Sequence, residues 1–118
     1  MHPVLLIDDD AGASEALRLY LQLYDVASVA VESGLEALVL LRSGFRASVI
    51  VLDLMMPGLD GFGFRAEQLA DDRLAGIPVI VCSGGYDAAA AAQRLGVAAF
   101  TPKPVRPAEL LRLIRQVT

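Results

Sequence analysis

The sequence predicts an α/β fold: a doubly wound parallel sheet of five strands with helices on both faces. Three observations predict it. Four short apolar runs, Val4-Leu5-Leu6-Ile7, Val49-Ile50-Val51-Leu52, Val79-Ile80-Val81-Cys82 and Ala98-Ala99-Phe100, read as strands buried on both faces. The segments between them carry apolar residues at helical spacing. The order is strand then helix, five times, and right-handed crossovers turn that alternation into a parallel sheet covered on both sides.

The elements follow in order. After the first run, Ala16, Leu17, Tyr20, Leu21 and Tyr24 form a helical stripe, with Asp10 placed to begin that helix. Val26 to Val31 sets Ala27, Val29 and Val31 on one face and Ser28 on the other, as a less buried edge strand would. Leu35, Leu38 and Val39 mark the second helix, and Phe62, Ala66 and Leu69 the third. Asp71-Asp72-Arg73 reads as a solvated connection. The fourth helix, Ala88 to Leu95, is alanine-rich and stops at Gly96, and Pro107 opens a last helix striped by Leu110, Ile114 and Val117. No repeat or low-complexity tract interrupts the pattern.

The composition narrows the function. The 118 residues are 55% hydrophobic and 20% charged, with a formal net charge of -4, as expected of a single domain spanning 1–118. The one cysteine, Cys82, makes neither an internal disulfide nor a thiolate zinc cluster; it suits a reducing cytoplasm and reads as a small core residue. Met1-His2-Pro3 has no basic signal-peptide region, and Val4 to Ile7 is far too short for a membrane span. Without a cluster of Lys and Arg, direct nucleic-acid binding is not expected either.

Ligands of open parallel sheets bind beyond the carboxyl ends of the strands. There the sequence places Asp8-Asp9-Asp10, Asp53, Ser83 and, after Thr101-Pro102, Lys103. Taken singly these are a helix cap, a turn residue and a solvated lysine. Together they gather carboxylates whose mutual repulsion calls for a cation. Hard oxygen donors without histidine or thiolate suit Mg²⁺, with Mn²⁺ possible. His2, the one histidine, lies at the other end of the sheet. Asp53 is then a nucleophile that needs no general base, with Lys103 and the Ser83 hydroxyl neutralising a transferred phosphoryl group. Gly58-Leu59-Asp60-Gly61-Phe62-Gly63 is a turn rather than a dinucleotide fingerprint. Phe45, Phe62 and Phe64 read as core or rim packing, and Met56 before Pro57 as loop packing.

Four segments in order resemble the receiver domains of two-component response regulators, and the single-domain chemotaxis regulators in particular. They are Leu5-Leu6-Ile7-Asp8-Asp9, Val49 to Gly61 around Asp53, Pro78-Val79-Ile80-Val81-Cys82-Ser83-Gly84, and Phe100-Thr101-Pro102-Lys103-Pro104. The resemblance spans nearly the whole chain. It implies a flavodoxin-like sheet with strand order 2-1-3-4-5. It implies that Asp53 accepts a phosphoryl group from a phosphohistidine on a sensor kinase or phosphotransfer protein. Asp9 and Asp53 would then bind Mg²⁺ by side chain, Met55 by its backbone carbonyl, and Asp8 mainly through metal-bound water. Ser83, Gly84 and Lys103 would hold the phosphoryl group, a cis Lys103-Pro104 bond would aim the ammonium inward, and Ser83 with Phe100 would form the switch. Output is expected through the fourth helix, last strand and fifth helix, by way of a partner, since one helix alone follows Lys103 and no output domain does.

Several positions depart from the commonest pattern of that family. Ser83 stands where threonine is more frequent and keeps the hydroxyl. Phe100 stands for tyrosine and has no phenolic group to donate. Pro102 removes a backbone donor and restricts Thr101, which predicts a shortened last strand, and the stretch from Ser83 to Gly96 predicts a reduced fourth helix. Two other readings use the same residues: a Mg²⁺-dependent phosphatase with an aspartyl-phosphate intermediate, and a degenerate receiver that only binds partners. Against the first, Leu54 and Met55 beside Asp53 offer no acid or base; against the second, every chemical position is filled. The expectation is therefore a cytoplasmic signalling module, not a metabolic enzyme.

Overall fold

A computed structural model of the chain describes residues 1–85 and 87–118. Its elements run β1 (Val4–Ile7), α1 (Ala11–Leu23), β2 (Ser28–Val31), α2 (Gly34–Arg42), β3 (Val49–Asp53), α3 (Gly61–Ala70), β4 (Val79–Ser83), α4 (Ala88–Leu95), β5 (Ala99–Pro102) and α5 (Pro107–Val117). The five strands are parallel in the order β2-β1-β3-β4-β5, as expected.

Alternation along the buried strands divides the interior in two. Leu5, Ile7, Ile50, Leu52, Val79 and Val81 face α2, α3 and α4, where Leu38, Phe64 and Ala91 meet them. Val4, Leu6, Val49, Val51, Ile80 and Cys82 face α1 and α5, packing on Leu21, Leu110 and Ile114. Central strands apolar at every position up to their last residues, Asp53 in β3 and Ser83 in β4, are what this arrangement requires.

Three of the helix starts are set by side chains. Asp10 accepts from the Ala13 N–H at 3.0 Å, Ser33 from Glu36 at 3.1 Å and Asp60 from Gly63 at 2.9 Å. Pro107 opens α5, and Gly96 closes α4 with φ 65°, a left-handed cap that disfavours a side chain.

Five expectations need correction. In α1, Ser14 and Leu21 are buried and Leu17 and Tyr20 half-buried, while Ala16 and Tyr24 of the expected stripe are exposed, because the sheet-facing side of the helix runs through Ser14. The edge strand begins at Ser28, not Val26, because the Val26 N–H bonds to the Leu21 carbonyl at 3.0 Å and closes α1. In α2 the buried face is Gly34, Ala37, Leu38 and Leu41, while Leu35 and Val39 point to solvent. In α3 the expected stripe of Phe62, Ala66 and Leu69 is exposed, and Gly61, Phe64, Arg65 and Gln68 are buried in its place. The last strand is not shortened at Pro102: it lies at the sheet edge, where a missing N–H is tolerated, and the Lys103 N–H bonds to the Ser83 carbonyl at 3.1 Å. The fourth helix is short, at 8 residues, as its segment predicts.

Candidate functional site

β1 and β3 are neighbours with Ile7 opposite Leu52, which sets Asp8 beside Asp53 at their carboxyl ends. Asp53 is 4% exposed; Asp8 is half-buried and Asp9 exposed. Carboxylate oxygens of the three lie within 4.8 Å of one another. Lys103 Nζ reaches between two of them, 2.9 Å from Asp8 Oδ2 and 3.2 Å from Asp53 Oδ2. It is the one lysine among ten basic side chains.

Local hydrogen bonds fix these carboxylates. Asp8 Oδ1 accepts from the Asp10 N–H at 2.9 Å, and Asp53 Oδ1 from the Met55 N–H at 3.2 Å. The Gly61 N–H returns to the Leu54 carbonyl at 3.1 Å, bringing the start of α3 against the end of β3. A Cβ at Gly61 would stand 2.6 Å from the Asp53 carbonyl oxygen and from Leu54 Cα, so only glycine permits this approach.

The electrostatics follow from burial. Removal from water raises the Asp53 carboxyl above the usual range; the Met55 N–H and Lys103 pull it back, and Asp8 adds to the rise. Burial works to lower Lys103, but its bond to Asp8 and the charges of Asp53 and Asp8 outweigh that and raise it. The ammonium therefore stays charged. Burial pushes the Cys82 thiol up to about 12, consistent with an inert core residue.

The remaining expected residues are close in the fold but differently engaged. Ser83, 2% exposed, ends β4, and its Oγ accepts from the Gly85 N–H at 3.4 Å rather than contacting Asp53 or Lys103. Gly84 is exposed, and a Cβ there would stand 3.4 Å from Lys103 Cβ. The Lys103-Pro104 peptide is cis. The Met55 side chain is exposed while its backbone stays beside Asp53. Phe100 is half-buried, packs toward the α2, α3 and α4 side, and borders an open cavity of about 410 Å³ with Thr101 to Pro104. His2 lies away from the site, in a cavity with Leu41 and Phe45.

Two features escaped the sequence reading. Ser14, 2% exposed with its Oγ unpartnered among the described residues, borders a void of about 10 Å³ shared with Asp8, Asp53 and Cys82. Nothing in the sequence separates it from an ordinary helix serine. Arg65 and Gln68 were hidden because a polar pair at i, i+3 normally marks a helix's wet face.

The donors fit a small, hard divalent cation. They are all oxygens, they come from a buried, a half-buried and an exposed carboxylate, and the exposed side leaves room for retained water.

The chain is similar in sequence and in fold to known proteins. Residues 4–115 match the family model of the response regulator receiver domain. The chain is 29% identical over 114 residues to the DNA-binding response regulator MtrA of Mycolicibacterium paratuberculosis, covering 95% of this chain and 49% of that protein. It is 34% identical over 118 residues to the positive alginate biosynthesis regulatory protein of Pseudomonas aeruginosa, covering 98% and 46%. The chain thus spans about half the length of these curated relatives. A response regulator receiver protein from Pseudomonas putida, known by crystal structure, superposes with a TM-score of 0.88 at 34% identity, covering 98% of each chain.

Proposed function

Because the chain belongs to the response regulator receiver family of two-component signalling, we propose that Asp53 is its phosphoacceptor and that phosphorylation there changes its partner interactions. The observation that supports this most is the convergence of Asp8, Asp9 and Asp53 with Lys103 bridging two of them at 2.9 and 3.2 Å.

Asp53 attacks the phosphorus of a phosphohistidine. Its Oδ–P bond forms as the P–N bond breaks, and the electron pair returns to the imidazole nitrogen. The Met55 N–H holds the carboxylate in orientation. Lys103 exchanges its contact with Asp53 for one with the phosphoryl oxygens, and the Ser83 hydroxyl, nearby and lightly held, donates to another. Asp8, Asp9, Asp53 and the Met55 carbonyl are the proposed ligands of Mg²⁺, or Mn²⁺, which would neutralise charge on the transferred group. Beside Asp53, neither Leu54 nor Met55 can relay a proton for hydrolytic turnover, which favours a signalling module over an enzyme.

The phosphoryl donor is a sensor histidine kinase or a histidine phosphotransfer protein, and the output surface comprises α4, β5 and α5. DNA binding, named for one of the relatives, is not assigned to these residues. No helix among the described residues is long and apolar enough to cross a membrane, and the proposed setting is the cytoplasm.

Incubation with Mg²⁺ and acetyl phosphate or phosphoramidate is expected to add one phosphoryl group by intact mass, lost in Asp53→Asn. With no tryptophan in the chain, Mg²⁺ binding is followed by calorimetry. Neither adduct nor Mg²⁺ binding would point to the binding-only receiver; rapid turnover of phosphate esters would point to the phosphatase.

A further inference from the structure

The end of the sheet opposite Asp53 carries a cavity of about 460 Å³ that the phosphoryl chemistry does not use. It lies among the stretches that lead into β1, β3 and β4, at the amino ends of those strands. Leu41 and Leu74, each 4% exposed, form its floor, and the half-buried Phe45 and Ile77 form its sides. His2, Arg46 and Arg73 are exposed and stand at its mouth. An apolar hollow of this size with a few convergent polar groups is the ordinary form of a small-molecule site.

Both charged side chains that line it are basic, in a chain where 14 acids outnumber 10 lysines and arginines. Arg46 has no ion-pair partner among the described residues. Arg73 reaches Asp71 through Nε at 3.4 Å and Nη2 at 3.5 Å, which leaves its Nη1 to donate elsewhere. That carboxylate is also shared with Arg42 at 3.6 Å. Guanidinium forks match the two oxygens of a carboxylate, and His2 adds a ring N–H. The walls are fixed before any ligand arrives. Gln68, fully buried and held by Arg65 Nη1 at 2.8 Å, donates from Nε2 to the Leu74 and Ile77 carbonyls, both at 3.0 Å. On the other side the Gly44 N–H closes on the Leu41 carbonyl at 3.2 Å, with Gly44 at φ 107°, and the Ser48 N–H bonds to the Pro3 carbonyl at 2.9 Å. A hollow already built spares a ligand the cost of ordering it.

We propose that this cavity binds a small amphipathic carboxylate, its apolar body on Leu41, Phe45, Leu74 and Ile77 and its charged group between Arg46 and Arg73. A fatty or aryl acid of modest length meets both demands. A neutral amphiphile meets only the apolar one, and a cationic amphiphile is opposed by the mouth. Asp8, Asp9 and Asp53 stand at the other end of β1 and β3, so this site does not rest on the phosphoacceptor reading.

Two-dimensional amide NMR spectra of the full chain, titrated with octanoate, test this. Amides at 44–47 and 73–77 are expected to shift together and to saturate at about millimolar probe, the scale for a ligand of this size. Octanoate is expected to bind at least about tenfold more tightly than butanoate, because the added methylenes are buried, and octylamine is expected not to saturate. Arg46→Gln/Arg73→Gln, both exposed positions, is expected to weaken octanoate at least about tenfold, and Phe45→Ala to draw the octanoate and butanoate affinities together. The probe series on wild type decides the matter even where a variant fails to fold. Octanol binding as well as octanoate overturns the proposal, as does undiminished octanoate binding in the double arginine variant. Shifts centred on residues 8–10, 53 and 103 place the anion at the other end of the sheet and overturn it as well. An acidic peptide with a central phenylalanine that displaces octanoate at equal concentration overturns the small-ligand reading in favour of a protein partner.

Discussion

Among the described residues charge is buried at two places, and they are built in opposite ways. At the carboxyl end of the sheet, Asp53 is 4% exposed and meets a cation, Lys103, that it shares with Asp8. At the α3–α4 junction, Arg65 meets neutral carbonyls and the Gln68 amide, and all three guanidinium nitrogens are used. The first cluster carries more negative than positive charge and opens to water through Asp9; the second is closed. A polar group left with unspent capacity next to solvent is available for chemistry, whereas one whose bonds are all internal holds elements in place.

The strongest way to break the first arrangement is Lys103→Met. Asp8 and Asp53 then repel without a shared cation, and phosphorylation by acetyl phosphate is expected to slow about a hundredfold, the scale on which a positioned electrostatic donor acts. A rate within twofold of wild type would count against a role for the ammonium. Breaking the second is expected to change stability rather than chemistry. Arg65→Met should cost about 2–3 kcal/mol in denaturant unfolding, since carbonyls are left unpaired, and Arg65→Leu/Gln68→Ile should recover part of it by packing.

Gly61→Ala sharpens the contrast, because it disturbs the backbone that carries Asp53 and leaves Arg65 untouched. Overpacking against the Asp53 carbonyl is expected to cost about 1–3 kcal/mol and to slow adduct formation together. An unchanged midpoint and rate would show that the turn yields freely. The smallest effect concerns Cys82. Its thiol is raised in the folded chain from 9.0 to about 12, so its contribution to stability is complete below pH 9 and is lost as pH climbs toward 12. Wild type should therefore lose more stability than Cys82→Ala across that window, with the two running parallel from pH 6 to 8.

The sequence made the carboxyl end of the sheet legible because its residues break the apolar runs abruptly: Leu52 then Asp53, Ile7 then Asp8. An acid directly after a fully buried strand has few structural explanations. The α3–α4 junction was not legible for the converse reason. Arg65 and Gln68 occupy the spacing of a wet helix face, and Phe62, Ala66 and Leu69 offered an apolar stripe that the fold turns outward. Which stripe is buried depends on the α4 carbonyls that wait above α3, and those come from a segment thirty residues away in the chain. The start of β2 was misjudged for a local reason, since hydrophobicity does not distinguish Val26 as a helix stop from Val26 as a strand residue.

The solitary lysine has a practical consequence. With arginine supplying every other basic side chain, amine chemistry on this chain finds only Lys103 and the amino terminus. Reductive methylation with isotope-labelled formaldehyde would therefore place a single side-chain reporter between Asp8 and Asp53, and its resonance would read the charge state of the site without competing signals from any other lysine.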